Sequence, residues 1–311
     1  MELRMVVVVV THLVVPWSLI ARLWRGSFRS KISWLVSTAA LGAYVAGMVM
    51  IGAWAWVSYY FRIALPLAFL GAAYCSFRRV LPRQVPWWRR PESASGWAEL
   101  VTDALVAAVF GWLAVGAVQG LGHGNARAVE LSFPLKGGVY YVGQGGGSPM
   151  LNHHSVDKAQ RFALDIVKLN AAGTRAAGLY PSDPARYAVF GEPIYSPCAG
   201  EVVASKDGLP DNKPPDSDRK NLAGNHVVVR CAEQGVDVGL AHMMNGSVAV
   251  KPGQQVEVGQ LLGRVGNSGN TREPHLHIHA VKTGSGSVSD GEGVPIRFDG
   301  RFLVRNSLVM R

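Results

Sequence analysis

Residues 266–281 read GNSGNTREPHLHIHAV and place His275, His277 and His279 on alternate positions after a run of small polar residues. The chain of 311 residues has nine histidines, so a third of them lie within five positions. Side chains two residues apart in a β-strand point to the same face, so the three imidazoles share one face. Three histidines without an acid among them would make a costly core. The pattern therefore favours a metal site or a catalytic cleft.

Zinc is the metal that this pattern suits best. Neutral imidazole is a favoured zinc ligand, and a catalytic zinc usually has three protein ligands and one position open to water. The remaining ligands must come from elsewhere in the chain, and the pattern alone leaves the choice open. The candidates are His153, His154, Asp157, Asp165, His226 and His242.

The composition changes near Leu121. Residues 1–121 are dominated by Val, Ala, Leu, Gly and aromatic residues, whereas the rest is typical of a Gly-rich globular domain. Most of the net charge of +10 belongs to the first part, which has eleven Lys and Arg residues against four acidic ones. These basic residues lie between apolar runs instead of clustering on one face. We therefore expect the lipid bilayer, and no nucleic acid, as a partner.

Four apolar runs are long enough, or nearly so, to cross the roughly 30 Å apolar core of a bilayer as helices. They span residues 5–23, 33–58, 63–77 and 100–121. The first run has a signal peptide as its alternative, but it lacks a small-residue cleavage site before the basic loop. The third run is short and needs residues 59–62 to span the bilayer.

The loops between these runs predict an orientation. Residues 22–31 contain four basic residues and residues 78–90 contain five, whereas the link between the second and third runs has only Arg62. Lys and Arg are retained on the cytoplasmic side, so the N-terminus and the β domain are expected outside the cytoplasm. Asp103 is the one acid inside an apolar run and is expected within one turn of its helix end.

Residues beyond the linker predict a mainly antiparallel β domain. Short β-branched or alternating runs alternate with Gly, Pro and Asn turns, and helical periodicity of useful length is absent. The eight runs are VELSFPL, GGVYYVGQ, RFALDIVKL, GEVVAS, HVVVRC, VDVGLAHM, QLLGRVG and HLHIHAV.

We therefore predict a helical transmembrane region at residues 1–121, a linker at 122–133 and an extracytoplasmic domain at 134–311. Two long polar insertions, 170–191 and 206–225, interrupt the β pattern. Loops of this length are functional or disordered, so they form either the walls of a groove or floppy segments.

The C-terminal motifs resemble the lysostaphin/LytM-type zinc endopeptidases, a family that acts on bacterial peptidoglycan. The shared features are the H-L-H strand, the Ala-His pair of GLAHM, and VEVGQLLGRVGNSG, which follows the pattern V-x-x-G-Q-x-x-G-x-x-G-x-(S/T)-G. The resemblance covers about residues 134–281. It implies a twisted antiparallel β domain of the LytM peptidase type, with one zinc ion in an open groove and peptidoglycan peptides as substrates.

The resemblance also implies roles for individual residues. His277 matches the zinc ligand of the H-L-H pair, and Asp165 in FALDIV matches the carboxylate ligand. His275 and His242 match the family's two catalytic histidines. In such a site zinc polarises the scissile carbonyl and activates water, while the two histidines handle protons and the oxyanion.

Arg161 departs from the family pattern. The family's first zinc histidine lies four residues before the carboxylate, where this chain has Arg161, and arginine stays protonated in proteins. Either the domain is degenerate and binds cell wall or regulates a partner hydrolase, or another histidine replaces the ligand. Relatives with an Asn-x-His segment before QRYALD favour His154 as the replacement, with His153 as the alternative. Because Asp165 and the other three site histidines remain, we favour replacement and predict a membrane-anchored zinc peptidase.

The resemblance also helps to predict which cysteines form a disulfide. Cys198 and Cys231 belong to the extracytoplasmic part, where disulfides persist, and their strands can be neighbours in the implied fold. We therefore predict a Cys198–Cys231 disulfide and a free, buried thiol at Cys75. For His279 two readings stay open, a contact that orients His277 or exposure at the strand end. We expect His226 to be a hydrogen-bonded structural residue.

Overall fold

A computed structural model describes residues 3–82, 84–283 and 289–311. Residue contacts divide the chain into two compact units, Met1–Val118 and Gln119–Arg311. Long apolar helices form the first unit, and a mainly antiparallel sheet forms the second. The predicted fold class is confirmed.

The helical unit contains four helices that are long and apolar enough to cross a membrane. They are α1 (Leu3–Arg25), α2 (Lys31–Ile51), α3 (Tyr59–Val80) and α4 (Ala94–Gln119). A π-helical turn at Val10–Val14 interrupts α1. Helix α3 begins at Tyr59, so it includes residues 59–62, which the short third run needs to span the bilayer.

Helix α2 ends at Ile51, seven residues before the predicted end of the second run. Gly52 has φ −61° and ψ 146°, which is outside helical geometry. A Cβ atom on Gly52 would lie 2.5 Å from the carbonyl oxygen of Met48 and 2.7 Å from Nε1 of Trp54. The chain then passes through a 3₁₀ turn at Trp54–Trp56 before α3. The prediction of one run over 33–58 was therefore wrong at its C-terminal end.

Asp103 is buried within the helical unit and pairs with Arg22 of α1. Nη2 of Arg22 donates to both carboxylate oxygens, at 3.0 and 2.9 Å, and the hydroxyl of Ser37 donates to the same carboxylate. Arg22 also forms an ion pair with Glu99 at 3.1 Å. The expected position within one turn of the helix end is wrong, because α4 begins at Ala94 rather than at residue 100.

The described strands of the β domain are β1 (Val129–Glu130), β2 (Val139–Gln144), β3 (Leu164–Leu169), β4 (Pro193–Tyr195), β5 (Gly200–Lys206), β6 (Asn225–Cys231), β7 (Val236–Met243), β8 (Gln255–Val256), β9 (Leu261–Arg264), β10 (Leu276–Lys282), β11 (Gly293–Val294), β12 (Ile296–Phe298), β13 (Arg301–Phe302) and β14 (Leu308–Met310). Nine of them form the main sheet, in the order β14-β2-β3-β10-β7-β6-β5-β8 with β11 paired to β10. Each of the eight predicted runs overlaps one of these strands.

The two faces of the sheet differ in chemistry. Leu276 and Ile278 of β10 pack in the core with Val238 and Leu240 of β7. The intervening side chains point to the opposite face, as the strand period of two requires. That opposite face carries the histidines, so burial of the apolar face fixes the face on which the site lies.

The cysteines differ in state between the two units. Cys198 and Cys231 form a disulfide with 5.8 Å between their Cα atoms, and both lie in the core of the β domain. The predicted disulfide is confirmed. Cys75 is a free cysteine, but it is only half-buried, so the prediction of a buried thiol was wrong.

Both long insertions are tied to the loop that precedes β10. Arg175 in the first is 2% exposed, and its Nε and Nη2 donate to Glu273 at 2.9 and 2.7 Å. Asp211 in the second accepts from the backbone N–H of Asn267 at 2.6 Å and of Asn245 at 3.0 Å. These contacts contradict the alternative in which the two insertions are floppy segments.

Candidate metal and catalytic site

Three adjacent strands bring the candidate residues together. In the register of the sheet, His277 of β10 lies opposite Asp165 of β3 on one side and opposite Ala241 of β7 on the other. His242 follows Ala241 with φ 63°, a left-handed conformation that is uncommon for a residue with a side chain. His275 directly precedes β10, and His154 lies in a 3₁₀ turn before β3. With these two, the five predicted site residues form one cluster.

Asp165 is at the centre of this cluster. Its oxygens lie 3.1 Å from Nε2 of His154, 2.9 Å from Nδ1 of His277 and 3.5 Å from Nε2 of His275. Burial raises the pKa of Asp165, but the neighbouring His154 and His275 and two hydrogen bonds outweigh it and hold that pKa well below its usual value. The carboxylate is therefore ionised and available as a ligand.

The His154 segment is fixed by Asn152, whose role sequence reasoning missed. Asn152 is fully buried, and its Oδ1 accepts from the backbone N–H of His154 at 3.1 Å. Its Nδ2 donates to the carbonyls of Gly146, Arg161 and Ala163 at 3.2, 3.3 and 3.0 Å. These bonds start the 3₁₀ turn His153–Val156 and direct His154 at Asp165. The buried amide next to the histidine pair was the available clue.

His153 and His154 have different environments. Their ring centroids lie 3.9 Å apart, but it is His154 that forms hydrogen bonds with Asp165. Partial burial and the charge of His154 lower the pKa of His153 to about 4. Burial also acts to lower the pKa of His154, but the attraction and hydrogen bond of Asp165 outweigh it and raise that pKa. The contacts therefore favour His154 as the ligand.

Arg161 lies outside the histidine cluster. It is exposed and precedes the first residue of β3, Leu164. Its guanidinium carbon lies 5.4 Å from the ring centroid of Phe162, and it borders a separate cavity with Asp157 and Lys158. Arg161 therefore leaves the carboxylate open to His154.

His242 and His275 share a hydrogen-bonding arrangement. Nδ1 of His242 lies 2.9 Å from the carbonyl oxygen of Ser268, and Nδ1 of His275 lies 2.9 Å from that of Glu273. Because a carbonyl only accepts, each Nδ1 carries a proton and Nε2 remains for chemistry. The two rings are 4.9 Å apart, and the His242 ring is 5.9 Å from that of His277.

Burial keeps two of these rings neutral. It lowers the pKa of His242 well below its usual value, and the neighbouring His275 and His277 lower it further. Burial also lowers the pKa of His277 although Asp165 opposes the shift. A neutral ring has the free nitrogen that both metal binding and proton acceptance need.

Two further histidines have defined contacts. His279 is 6% exposed, and its Nδ1 lies 3.1 Å from Nε2 of His277. Exposure at the strand end, one of the two readings for this residue, is therefore wrong. His226 has Nδ1 2.8 Å from the carbonyl oxygen of Gly224, so the predicted hydrogen bond is confirmed.

The donor set of His154, Asp165 and His277 fits zinc. Two imidazole nitrogens and one carboxylate are a known set for catalytic zinc, and donors around one tetrahedral zinc lie roughly 3.3 Å apart. The contacts of Asp165 with the two histidine nitrogens, 3.1 and 2.9 Å, approach this separation. Among the described residues, two groups could hold a metal ion, His242–His275–His277 and His153–His154–Asp165, and the contact of Asp165 with His277 joins them.

The sequence around the site agrees with this chemistry. Residues 186–289 match the model of Peptidase family M23. These residues form a Peptidase family M23 domain. His242, His275 and His277 lie within the matched range of the M23 domain, whereas His154 and Asp165 precede it. The assignment of His154 and Asp165 to the site therefore rests on their contacts with each other and with His277.

Solved structures similar to this chain include several peptidases. A putative M23 peptidase from Pseudomonas aeruginosa is 24% identical, with 56% of this chain and 53% of that chain covered and a TM-score of 0.28. The catalytic domain of lysostaphin from Staphylococcus simulans is 18% identical, with 54% and 89% covered and a TM-score of 0.28. A zinc-containing peptidase from Vibrio cholerae is 21% identical, with 38% and 46% covered and a TM-score of 0.24. The chain spans about half of the Pseudomonas and Vibrio proteins, and 36% of lysostaphin in a solution structure.

Proposed function

We propose that this protein is a membrane-anchored zinc metalloendopeptidase that hydrolyses peptide bonds in bacterial peptidoglycan. The observation that carries the proposal is the convergence of His154, Asp165 and His277 beside the rings of His242 and His275. The M23 domain supports peptidase chemistry. The substrate class rests on the resemblance of the C-terminal motifs to the lysostaphin/LytM-type endopeptidases.

His154, Asp165 and His277 would hold one zinc ion. A bound zinc ion supplies Lewis acidity, which polarises the scissile carbonyl and lowers the pKa of water. The low pKa of Asp165 and the lowered pKa of His277 suit these two residues to binding the metal, whereas the raised pKa of His154 means that the metal competes with a proton there.

His242 and His275 would move the protons. Hydrolysis adds water across the C–N bond, so one proton must leave the attacking water and one must reach the departing amine. Each ring has Nδ1 bonded to a backbone carbonyl, which fixes its orientation and leaves Nε2 to accept a proton and return it. The left-handed backbone at His242 places its ring beside that of His275.

The four apolar helices suit an anchor in a membrane. The basic residues in the loops 22–31 and 78–90 support an orientation with the β domain outside the cytoplasm, on the side where peptidoglycan lies. An anchored enzyme would act on peptides close to that membrane.

Digestion of purified peptidoglycan by the full chain in detergent tests the proposal. New amino termini are counted and fragments are identified by mass spectrometry for wild type, His242→Gln and His277→Ala, with His226→Ala as the matched control. We expect wild type and the control to release fragments, and each site variant to lose about 10²-fold or more in rate. Equal release by all four proteins would refute the assignment. Binding to peptidoglycan without release would support the degenerate binding domain instead.

A further inference from the structure

His277 uses both of its ring nitrogens. Nδ1 lies 2.9 Å from Asp165, and Nε2 lies 3.1 Å from Nδ1 of His279. Both residues are nearly buried, with His277 5% and His279 6% exposed. The centroids of the two rings are 5.1 Å apart, and the interplanar angle of 64° directs the edge of one ring at the other.

Metal binding would displace the proton that Nδ1 of His277 shares with Asp165. A metal held by Nδ1 of His277 requires the ring proton of a neutral His277 to be on Nε2. That N–H then donates to Nδ1 of His279, which must be unprotonated and must carry its own proton on Nε2. Partners of this kind orient a ligating histidine, and they are usually a carboxylate, a backbone carbonyl or water.

We infer that His279 is a positioning residue, whose Nδ1 accepts the Nε2–H of His277 and so fixes the tautomer and the ring orientation of the proposed zinc ligand. This inference rests on the proposed zinc site. His279 would act only through His277 and would not touch the metal.

The sheet register explains why an imidazole fits at this position. His279 lies on the same face of β10 as His277 and opposite Gly239 of β7, which has no side chain to occupy the space. The ring of His279 borders a cavity of about 210 Å³ that is also lined by Gly239, Ala241 and Val228. Gly239 and Ala241 on the neighbouring strand thus leave room for the imidazole ring of His279.

Zinc affinity of the full chain in detergent tests the inference, measured by competition with a chromophoric chelator. His279→Leu and His279→Asn form a matched pair, because the side chains are similar in size but only Asn has an acceptor near the position of Nδ1. We expect His279→Leu to weaken zinc binding by about 10- to 100-fold and His279→Asn to stay close to wild type. His226→Leu, in the same cavity, should bind zinc as wild type does.

A second readout is the d–d absorption spectrum of the cobalt-substituted protein. We expect a shift for His279→Leu and the wild-type spectrum for His279→Asn, and melting curves verify that each variant is folded. If His279→Leu does not fold, His279→Ala takes its place in the comparison with Asn. Wild-type zinc affinity in the Leu variant would overturn the inference alone, as would equal losses in the Leu and Asn variants. A wild-type chain that binds no zinc would overturn the inference and the proposed function together.

Discussion

Nε2 of His154 lies 3.1 Å from both carboxylate oxygens of Asp165, a residue eleven positions later in the chain. The imidazole therefore reaches the carboxylate from a 3₁₀ turn before β3, not from the strand itself. In the proposed zinc site the position four residues before Asp165 is free to differ, because His154 supplies the ligand. This relationship accounts for a site that keeps its other residues while Arg161 replaces a histidine.

Replacement of Arg161 by alanine should leave the site intact. The guanidinium packs on the ring of Phe162 at an exposed position, so we expect unchanged zinc content and a change in stability within about 0.5 kcal/mol. Metal analysis and thermal melting of Arg161→Ala measure both quantities, and Asp165→Ala serves as the variant that loses zinc. Loss of zinc in Arg161→Ala would show that the arginine supports the ligand set.

Replacement of Asn152 should damage zinc binding without touching a ligand. Asn152→Ala leaves three carbonyl groups and the N–H of His154 without their amide partner, which should cost about 1–3 kcal/mol of stability and weaken zinc binding. Asn152→Asp should be worse, because a carboxylate oxygen would face those carbonyls. Calorimetry and chelator competition compare the two variants. If Asp is tolerated better than Ala, the assigned amide orientation is incorrect.

Removal of the Cys198–Cys231 disulfide should lower the stability of the β domain. The two cysteines are separated by 33 positions, and closing a loop of that length stabilises a fold by about 3–4 kcal/mol in the chain-entropy model. Chemical unfolding of the Cys198→Ala/Cys231→Ala variant measures the loss, and Cys75→Ala is the control outside the β domain. A double variant as stable as wild type would contradict the expectation.

The ion pair in the helical unit should behave as a coupled pair. Arg22→Met leaves Asp103 buried and without its guanidinium partner, so we expect a loss of about 1–3 kcal/mol. Adding Asp103→Leu should restore much of that loss, because the uncompensated charge is removed. Thermal melting in detergent compares these variants with Arg25→Met, an exposed control. Additive losses in the double variant would exclude coupling between Arg22 and Asp103.

Local sequence pattern was sufficient for the parts of the fold that depend on neighbouring residues. Alternation in HLHIHAV put His275, His277 and His279 on one face because the strand period holds without regard to the rest of the chain. The disulfide could be predicted because the resemblance supplied the pairing of strands. The same resemblance gave Asp165 and His242, whose distance in sequence from β10 carries no local information.

The remaining features depend on contacts between distant segments. The contact of His279 with His277 requires the space left by Gly239 on β7, which β10 alone does not reveal. Asn152 matters because three carbonyls from other turns converge on it. Helix α2 ends where Gly52 leaves helical geometry, whereas hydropathy continues through it to residue 58.

Zinc content distinguishes His154 from His153 as a ligand of the proposed zinc site. The full chain is purified as wild type, His154→Ala and His153→Ala, supplied with zinc, dialysed and analysed by elemental analysis. His153 stacks on His154 but does not share its hydrogen bonds with Asp165, so it is the matched control. We predict about one zinc ion in wild type and in His153→Ala, and a large loss in His154→Ala. Full zinc content in His154→Ala, or none in wild type, would contradict the account.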